Sequence, residues 1–123
     1  MKAYLTEAIG TFFLVLTVGL TVNQGVVLAP VAIGAALMVM VYAGGHVSGG
    51  HYNPSVTLAA WLRGALPVRQ VAPYWASQFA GGVVAALLIN QFTGHALHVA
   101  PGEHATVMNA LLGEIVFSFA LSY

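Results

Sequence analysis

Four long apolar runs dominate this sequence and limit the folds that it can adopt. They extend over residues 3–22, 26–42, 71–92 and 107–123. A run of about 20 residues forms roughly 30 Å of helix, which is the thickness of the hydrocarbon core of a bilayer. Only 5% of the residues are charged, whereas soluble domains carry roughly a quarter. The sequence therefore predicts an all-α membrane protein, multi-pass in the lipid bilayer, with three complete spans and an incomplete fourth.

The few charged residues predict an orientation and exclude one class of partner. Lys2 precedes the first run, and Arg63 and Arg69 lie between the second and third runs, so all three fall on one side. The positive-inside rule predicts that this side, with the N-terminus, is cytoplasmic. Three basic residues balanced by three acidic ones form no basic patch, and no nucleic acid partner is expected.

A polar, glycine-rich segment interrupts the apolar chain between the second and third runs. Asn53 offers a side-chain acceptor for a helix N-cap, and Pro54 suits the first helical position. A helix from Pro54 to about Arg63 would be roughly 15 Å long, half the hydrocarbon thickness. We therefore expect a re-entrant half-helix over 54–63, preceded by an irregular path that Gly44, Gly45, Gly49 and Gly50 permit.

If the irregular segment lines a water-filled cavity, it could bind water or a small neutral polyol. Its carbonyl groups would then accept hydrogen bonds, while the positive end of the half-helix would repel cations. These carbonyls belong to Gly49, Gly50, His51 and Tyr52. The alternative is a plain loop followed by a short amphipathic helix on the membrane surface.

An internal repeat suggests two related halves. Residues 7–14, EAIGTFFL, resemble residues 114–121, EIVFSFAL. Three complete spans separate the copies, so the second is upside down relative to the first, as in an inverted repeat. We expect a first repeat over 1–106 and the start of a second, inverted repeat over 107–123. A glutamate inside a span should face the bundle interior, where Glu7 and Glu114 could brace loop N–H groups.

The segment SGGHYNPSVT resembles the first Asn-Pro-Ala loop of the aquaporin and aquaglyceroporin family, the major intrinsic proteins. TEAIGTFFLVLTVG looks like the first helix of that family, and WASQFAGGVVAALL like its third. The resemblance covers nearly the whole chain and implies the N-terminal half of an aquaporin-like right-handed helical bundle, with a re-entrant loop and half-helix. It further implies a family-like homotetramer, expected in the plasma (inner) membrane.

The resemblance also implies roles for individual residues. The amide of Asn53 would donate to the permeating molecule beside the four carbonyls, and Ser55 stands where the family motif has alanine. Ile33 falls at a filter position that is aromatic in strict water channels, which implies a wider or more apolar constriction. The implied motif is Asn53, Pro54 and Ser55, and the implied loop-bracing residues are Glu7, Glu114 and His46.

These patterns predict a passive channel for water and/or small neutral solutes such as glycerol, which excludes ions and protons. One inverted half cannot close a pore, so the alternative is a nonconducting half-channel fragment or assembly subunit that needs a second half or a continuation of the chain. An intramembrane hydrolase, with Ser48 beside His46 or His51, is less favoured because no oxyanion motif accompanies the pair. The two histidines lack carboxylate or thiolate partners at ligand spacing, so neither metal nor cofactor is predicted, and no enzyme.

Overall fold

The computed structural model describes residues 1–102 and 104–123, and in these residues every regular element is a helix. The five helices are α1 (Lys2–Val22), α2 (Ala29–Ser48), α3 (Pro54–Leu62), α4 (Val68–Thr93) and α5 (Val107–Ser122). Helices α1, α2 and α4 are long and apolar enough to cross a membrane, and α5 is a shorter apolar helix. The predicted all-α membrane class is confirmed.

Helix α2 differs most from the sequence prediction. It extends to Ser48, and Gly49 ends it in the left-handed conformation, with φ 92°. The expected irregular path at Gly44 and Gly45 is therefore wrong, because both residues are helical. Packing explains the glycine at position 44, since a Cβ atom there would overlap the hydroxyl of Tyr52.

Helix α1 is the centre of the bundle and packs along both α2 and α4. Its crossing with α4 is close, because a Cβ atom on Gly81 would overlap the carbonyl oxygen of Ala8. Farther along the same interface, Gly19 leaves room for Ile89, which is fully buried. Helix α2 packs against α1 and, within the described residues, against no other helix.

One face of the short helix α3 is buried against the rest of the bundle. Its buried residues are Thr57 and Ala60, and it packs against α4 and α5. The indole Nε1 of Trp75 on α4 donates to the carbonyl of Pro54, at 3.1 Å. These contacts contradict the alternative of a surface helix.

The depth of α3 follows from its neighbours on α1. Just before α3 begins, the Tyr52 carbonyl accepts a hydrogen bond from Thr11, near the middle of α1, at 3.2 Å. Near its other end, Ala60 belongs to a buried cluster that Ala3 and Tyr4 of the first turn of α1 pack against. Helix α3 thus begins at mid-height in the bundle and runs back to the end where α1 starts, which is the expected re-entrant path.

Candidate functional site

Residues 49–53, which we call the asparagine loop, connect α2 to α3 at mid-height in the bundle. Gly49 and Gly50 have φ values of 92° and 66°, which glycine adopts without a steric penalty. Asn53 is extended and caps α3, with its Oδ1 accepting from the backbone N–H of Ser55 at 2.7 Å. Pro54 at the first helical position lacks the N–H that would have no partner there. The predicted start of the half-helix is confirmed.

The carboxylate of Glu7 holds the asparagine loop and is itself fully buried. Its Oε1 accepts from the hydroxyl of Ser48 at 2.6 Å and from the N–H of His51 at 3.0 Å. Its Oε2 accepts from the N–H of Tyr52 at 2.7 Å and from Nε2 of Gln78 at 2.8 Å. A buried carboxylate is tolerated when such donors surround it, and here two of them are loop N–H groups.

Gln78 and Thr57 extend this network from α4 to α3. The Nε2 group of Gln78, which is 1% exposed, also donates to Oγ1 of Thr57 at 2.9 Å. The Thr57 hydroxyl donates to the carbonyl of Asn53 at 3.1 Å, and Nδ1 of His51 lies 3.1 Å from Oγ1 of Thr57. Since Thr57 has one hydroxyl proton, a hydroxyl that donates to Asn53 can only accept from Nδ1 of His51.

Sequence reasoning missed the contribution of Gln78, Thr57 and Tyr74. The hydroxyl of Tyr74 donates to the carbonyl of Ser48 at 2.8 Å, so α4 holds the end of α2 as well as the loop. The sequence does contain a signal for Gln78, because this polar residue lies inside the third apolar run. Polar residues in such runs usually have a buried partner.

The asparagine loop also presents polar groups that its own fold leaves free. The carbonyls of Gly49, Gly50 and His51 accept no hydrogen bond from any described residue, and neither does the Asn53 Nδ2 group donate to one. The fourth predicted carbonyl, that of Tyr52, differs because it accepts from Thr11. The loop therefore leaves three acceptors and one donor without a partner among the described residues.

Open space adjoins both ends of this row of polar groups. A cavity of about 580 Å³ is lined by Gly49 and His51, together with Arg63 and Gln70. A second cavity, of about 310 Å³, is lined by Asn53 and its neighbours, including Thr11, Leu14 and Gln78. A small molecule could therefore reach the loop from either side of the half-helix.

The remaining predicted site residues lie away from the network. Ile33 is partly buried on α2, and Ser55, His46 and Glu114 are exposed. Among the described residues, neither His46 nor Glu114 makes a side-chain hydrogen bond, so their bracing roles stay predictions.

The residues of the rival hydrolase do not form a catalytic pair. Ser48 donates to Glu7 and accepts from the N–H of Gly50 at 3.1 Å, instead of contacting His46 or His51. In the described part of the chain, no three His, Cys, Asp or Glu side chains are grouped as metal ligands would be.

Comparison with known proteins supports one family. The family model described as "Major intrinsic protein" matches residues 1–123. Aquaporin TIP1-2 from Musa acuminata is 40% identical over 107 residues, which cover 85% of this chain and 42% of that protein. Aquaporin Z from Rhodopseudomonas palustris is 42% identical over 95 residues, covering 70% of this chain and 40% of its own length. Aquaporin NIP1-2 from Arabidopsis thaliana is 33% identical over an alignment of 132 residues that includes 100% of this chain and 45% of the relative.

The chain thus spans less than half the length of these relatives. The family match nevertheless extends over every residue of the chain, and three helices are suited to cross a bilayer. The chain is an integral membrane protein and belongs to the major intrinsic protein family.

Proposed function

We propose that this chain forms the N-terminal half of a passive transmembrane channel for water and small neutral solutes such as glycerol. One observation carries the proposal: three consecutive free carbonyls, from Gly49 to His51, lead to the unpartnered amide of Asn53. The loop that bears them is fixed by two hydrogen bonds from its own N–H groups to the buried Glu7 carboxylate, which also accepts from Ser48 and Gln78. A fixed row of acceptors and a donor can replace the hydration of a permeating molecule without first rearranging.

The same geometry supports the exclusion of protons and cations. The Nδ2 group of Asn53 would donate to the oxygen of a passing water, which then cannot accept a proton from the next water in the file. The N-terminus of α3 adds a partial positive charge at mid-height in the bundle. A cation would meet this charge where no described carboxylate other than the fully engaged Glu7 is buried.

Ile33 supports the inclusion of solutes larger than water. Isoleucine has no hydrogen-bonding group and is smaller than an aromatic side chain, so a constriction beside it would be wider and more apolar. The residue lies on α2, partly buried. Glycerol, which presents an apolar carbon edge as well as hydroxyl groups, fits such an opening.

We further propose that a second, inverted half completes the pore, either as a continuation of the chain or as another subunit. Helix α5 has no buried residues, which leaves Glu114 free to brace a second loop as Glu7 braces the first. His46, exposed on α2, would contact that half. The assembled channel would be a homotetramer in the plasma (inner) membrane, with the N-terminus cytoplasmic. The exposed α5 equally supports the second candidate, that residues 1–123 alone are a nonconducting half-channel.

Asn53→Asp tests the channel proposal. The aspartate keeps the oxygen that caps α3 but replaces the donor with a negative charge at the permeation path. We expect water permeability to fall by about tenfold, as for the loss of one strong hydrogen bond. The measurement is stopped-flow light scattering of proteoliposomes that contain the full-length protein, with a pH-sensitive dye inside to record proton flux.

Asn90→Asp is the matched control, since Asn90 is exposed in the last turn of α4. It should conduct like the unmodified protein. Unchanged water and proton flux in Asn53→Asp would contradict the assigned role of Asn53. Flux at the lipid background from a folded, inserted protein would contradict the channel itself, and native mass spectrometry would then show whether a second half was present.

A further inference from the structure

Tyr52 has an unusual backbone and a buried side chain. Among the described non-glycine residues it alone has a positive φ, 49°, a conformation that side chains with a Cβ rarely adopt. Its N–H donates to Glu7 and its carbonyl accepts from Thr11, both on α1. The side chain is 3% exposed. The backbone bonds thus fix the direction in which the ring leaves the loop.

The ring of Tyr52 occupies a slot between α1 and α2 that two glycines create. A Cβ atom on Gly10 of α1 would overlap the ring carbons, and one on Gly44 of α2 would overlap the hydroxyl. The hydroxyl donates to the carbonyl of Met40, on α2, at 2.8 Å. Tyr52 therefore bonds to both helices, to α1 through its backbone and to α2 through its side chain.

Helix α2 also meets the asparagine loop near its C-terminus, where the N–H of Gly49 donates to the carbonyl of Gly45 and Gly50 lies close to Gly45 and Val41. Within the described residues it packs against α1 but against neither α3 nor α4. Its C-terminal residue Ser48 bonds to Glu7 and Tyr74, which holds only the end of the helix. The bond between Tyr52 and Met40 is farther along α2, toward Ile33, and so limits how far the middle of α2 can move from the loop.

We propose that Tyr52 is a specificity-determining positioning residue, whose hydroxyl sets the separation between α2 and the asparagine loop and thereby the size of solute that passes. This inference rests on the proposed function, in which a solute passes between Ile33 on α2 and Asn53 on the loop. The distance between these two residues would then limit the size of the solute. The hydroxyl acts on the permeating molecule only through α2, since it is itself bonded to a main-chain carbonyl.

Tyr52→Phe removes the hydroxyl and keeps the ring in its slot. We expect the ratio of glycerol to water permeability to rise by about fivefold, the factor that corresponds to one lost hydrogen bond. Tyr42→Phe is the control, because Tyr42 lies on the same helix but is 84% exposed, and its ratio should not change. A conducting Tyr52→Phe channel with an unchanged ratio would overturn the inference.

A second measurement does not depend on flux. The sequence has no cysteine, so Met38→Cys on α2 and Leu87→Cys on α4, both exposed, accept spin labels without competition. Double electron-electron resonance should give a broader or longer distance in Tyr52→Phe than with tyrosine present. An unchanged distance distribution would overturn the positioning role. If the unmodified protein shows no flux but the distance still changes in Tyr52→Phe, the proposed function is contradicted. The positioning of α2 by the Tyr52 hydroxyl is then supported.

Discussion

Glu7 and Glu114 occupy matching positions in the internal repeat but have opposite environments. Glu7 is fully buried and accepts four hydrogen bonds. Glu114 is exposed on α5, and no described residue donates to it. The difference lies in the neighbours, because only Glu7 has an asparagine loop and a glutamine from α4 packed against it. The repeated motif therefore locates a glutamate, and the neighbouring elements decide whether that glutamate accepts hydrogen bonds from a loop.

Among substitutions that test this difference, Glu7→Gln should have the largest effect on the free energy of unfolding. The amide would direct its NH₂ group at donors that now point to a carboxylate oxygen, leaving at least two buried groups without a partner. We expect the free energy of unfolding in detergent to fall by about 3 kcal/mol or more. Denaturant titration followed by circular dichroism measures this change.

Glu114→Gln is the matched substitution in the other copy and sharpens the comparison. In residues 1–123 alone it should alter stability by less than about 0.5 kcal/mol, as exposed substitutions do. A cost similar to that of Glu7→Gln would contradict the exposed position of Glu114. If a second loop completes the bundle, the same substitution should become destabilising in the full assembly.

Gly10→Ala should have the next largest effect, because the new Cβ atom would overlap the Tyr52 ring. We expect a loss of about 1–3 kcal/mol, the usual cost of overpacking a core. Adding Tyr52→Ala, which removes the ring, should make the extra methyl group tolerable in a double-mutant cycle. Additive losses in that cycle would show that the two residues do not meet.

Gly113→Ala is the control on α5, where a Cβ atom at Gly113 would contact nothing within 4 Å. Alanine is favoured over glycine inside a helix by about 1 kcal/mol, so this variant should be neutral or more stable. The two glycine substitutions should thus change the midpoint of thermal unfolding in opposite directions.

A smaller effect than those of Glu7→Gln and Gly10→Ala, and one in which the two regions should agree, is the loss of a helix cap. The side chain of Asn53 caps α3 by accepting from Ser55, and that of Thr106 caps α5 by accepting from Asn109. Replacing either by alanine should cost about 1 kcal/mol in the free energy of unfolding. A much larger cost at Asn53 would mean that its side chain supports the loop beyond its cap.

Local patterns predicted the parts of the fold that depend on neighbours in sequence. The dipeptide of Asn53 and Pro54 located the start of α3, and the long apolar runs located three membrane-spanning helices. The prediction of an irregular path failed at Gly44 and Gly45, because glycine weakens a helix locally but does not prevent one. At position 44 the missing Cβ atom leaves room for the hydroxyl of Tyr52. The bonds of Gln78 to Glu7 and Thr57 join residues far apart in the chain, so no local pattern could specify them.

The sequence by itself determined that the chain lies in a lipid bilayer, where its helices are and where the chain turns at Asn53. The lengths of apolar runs, helix caps and backbone conformation are local properties. Only the tertiary structure decided which groups of the asparagine loop remain without a partner among the described residues. The N–H groups of His51 and Tyr52 are engaged by Glu7, whereas the carbonyls from Gly49 to His51 are left open. The physical reason is that a buried polar group must find its partner in space, and for these two N–H groups the partner comes from α1.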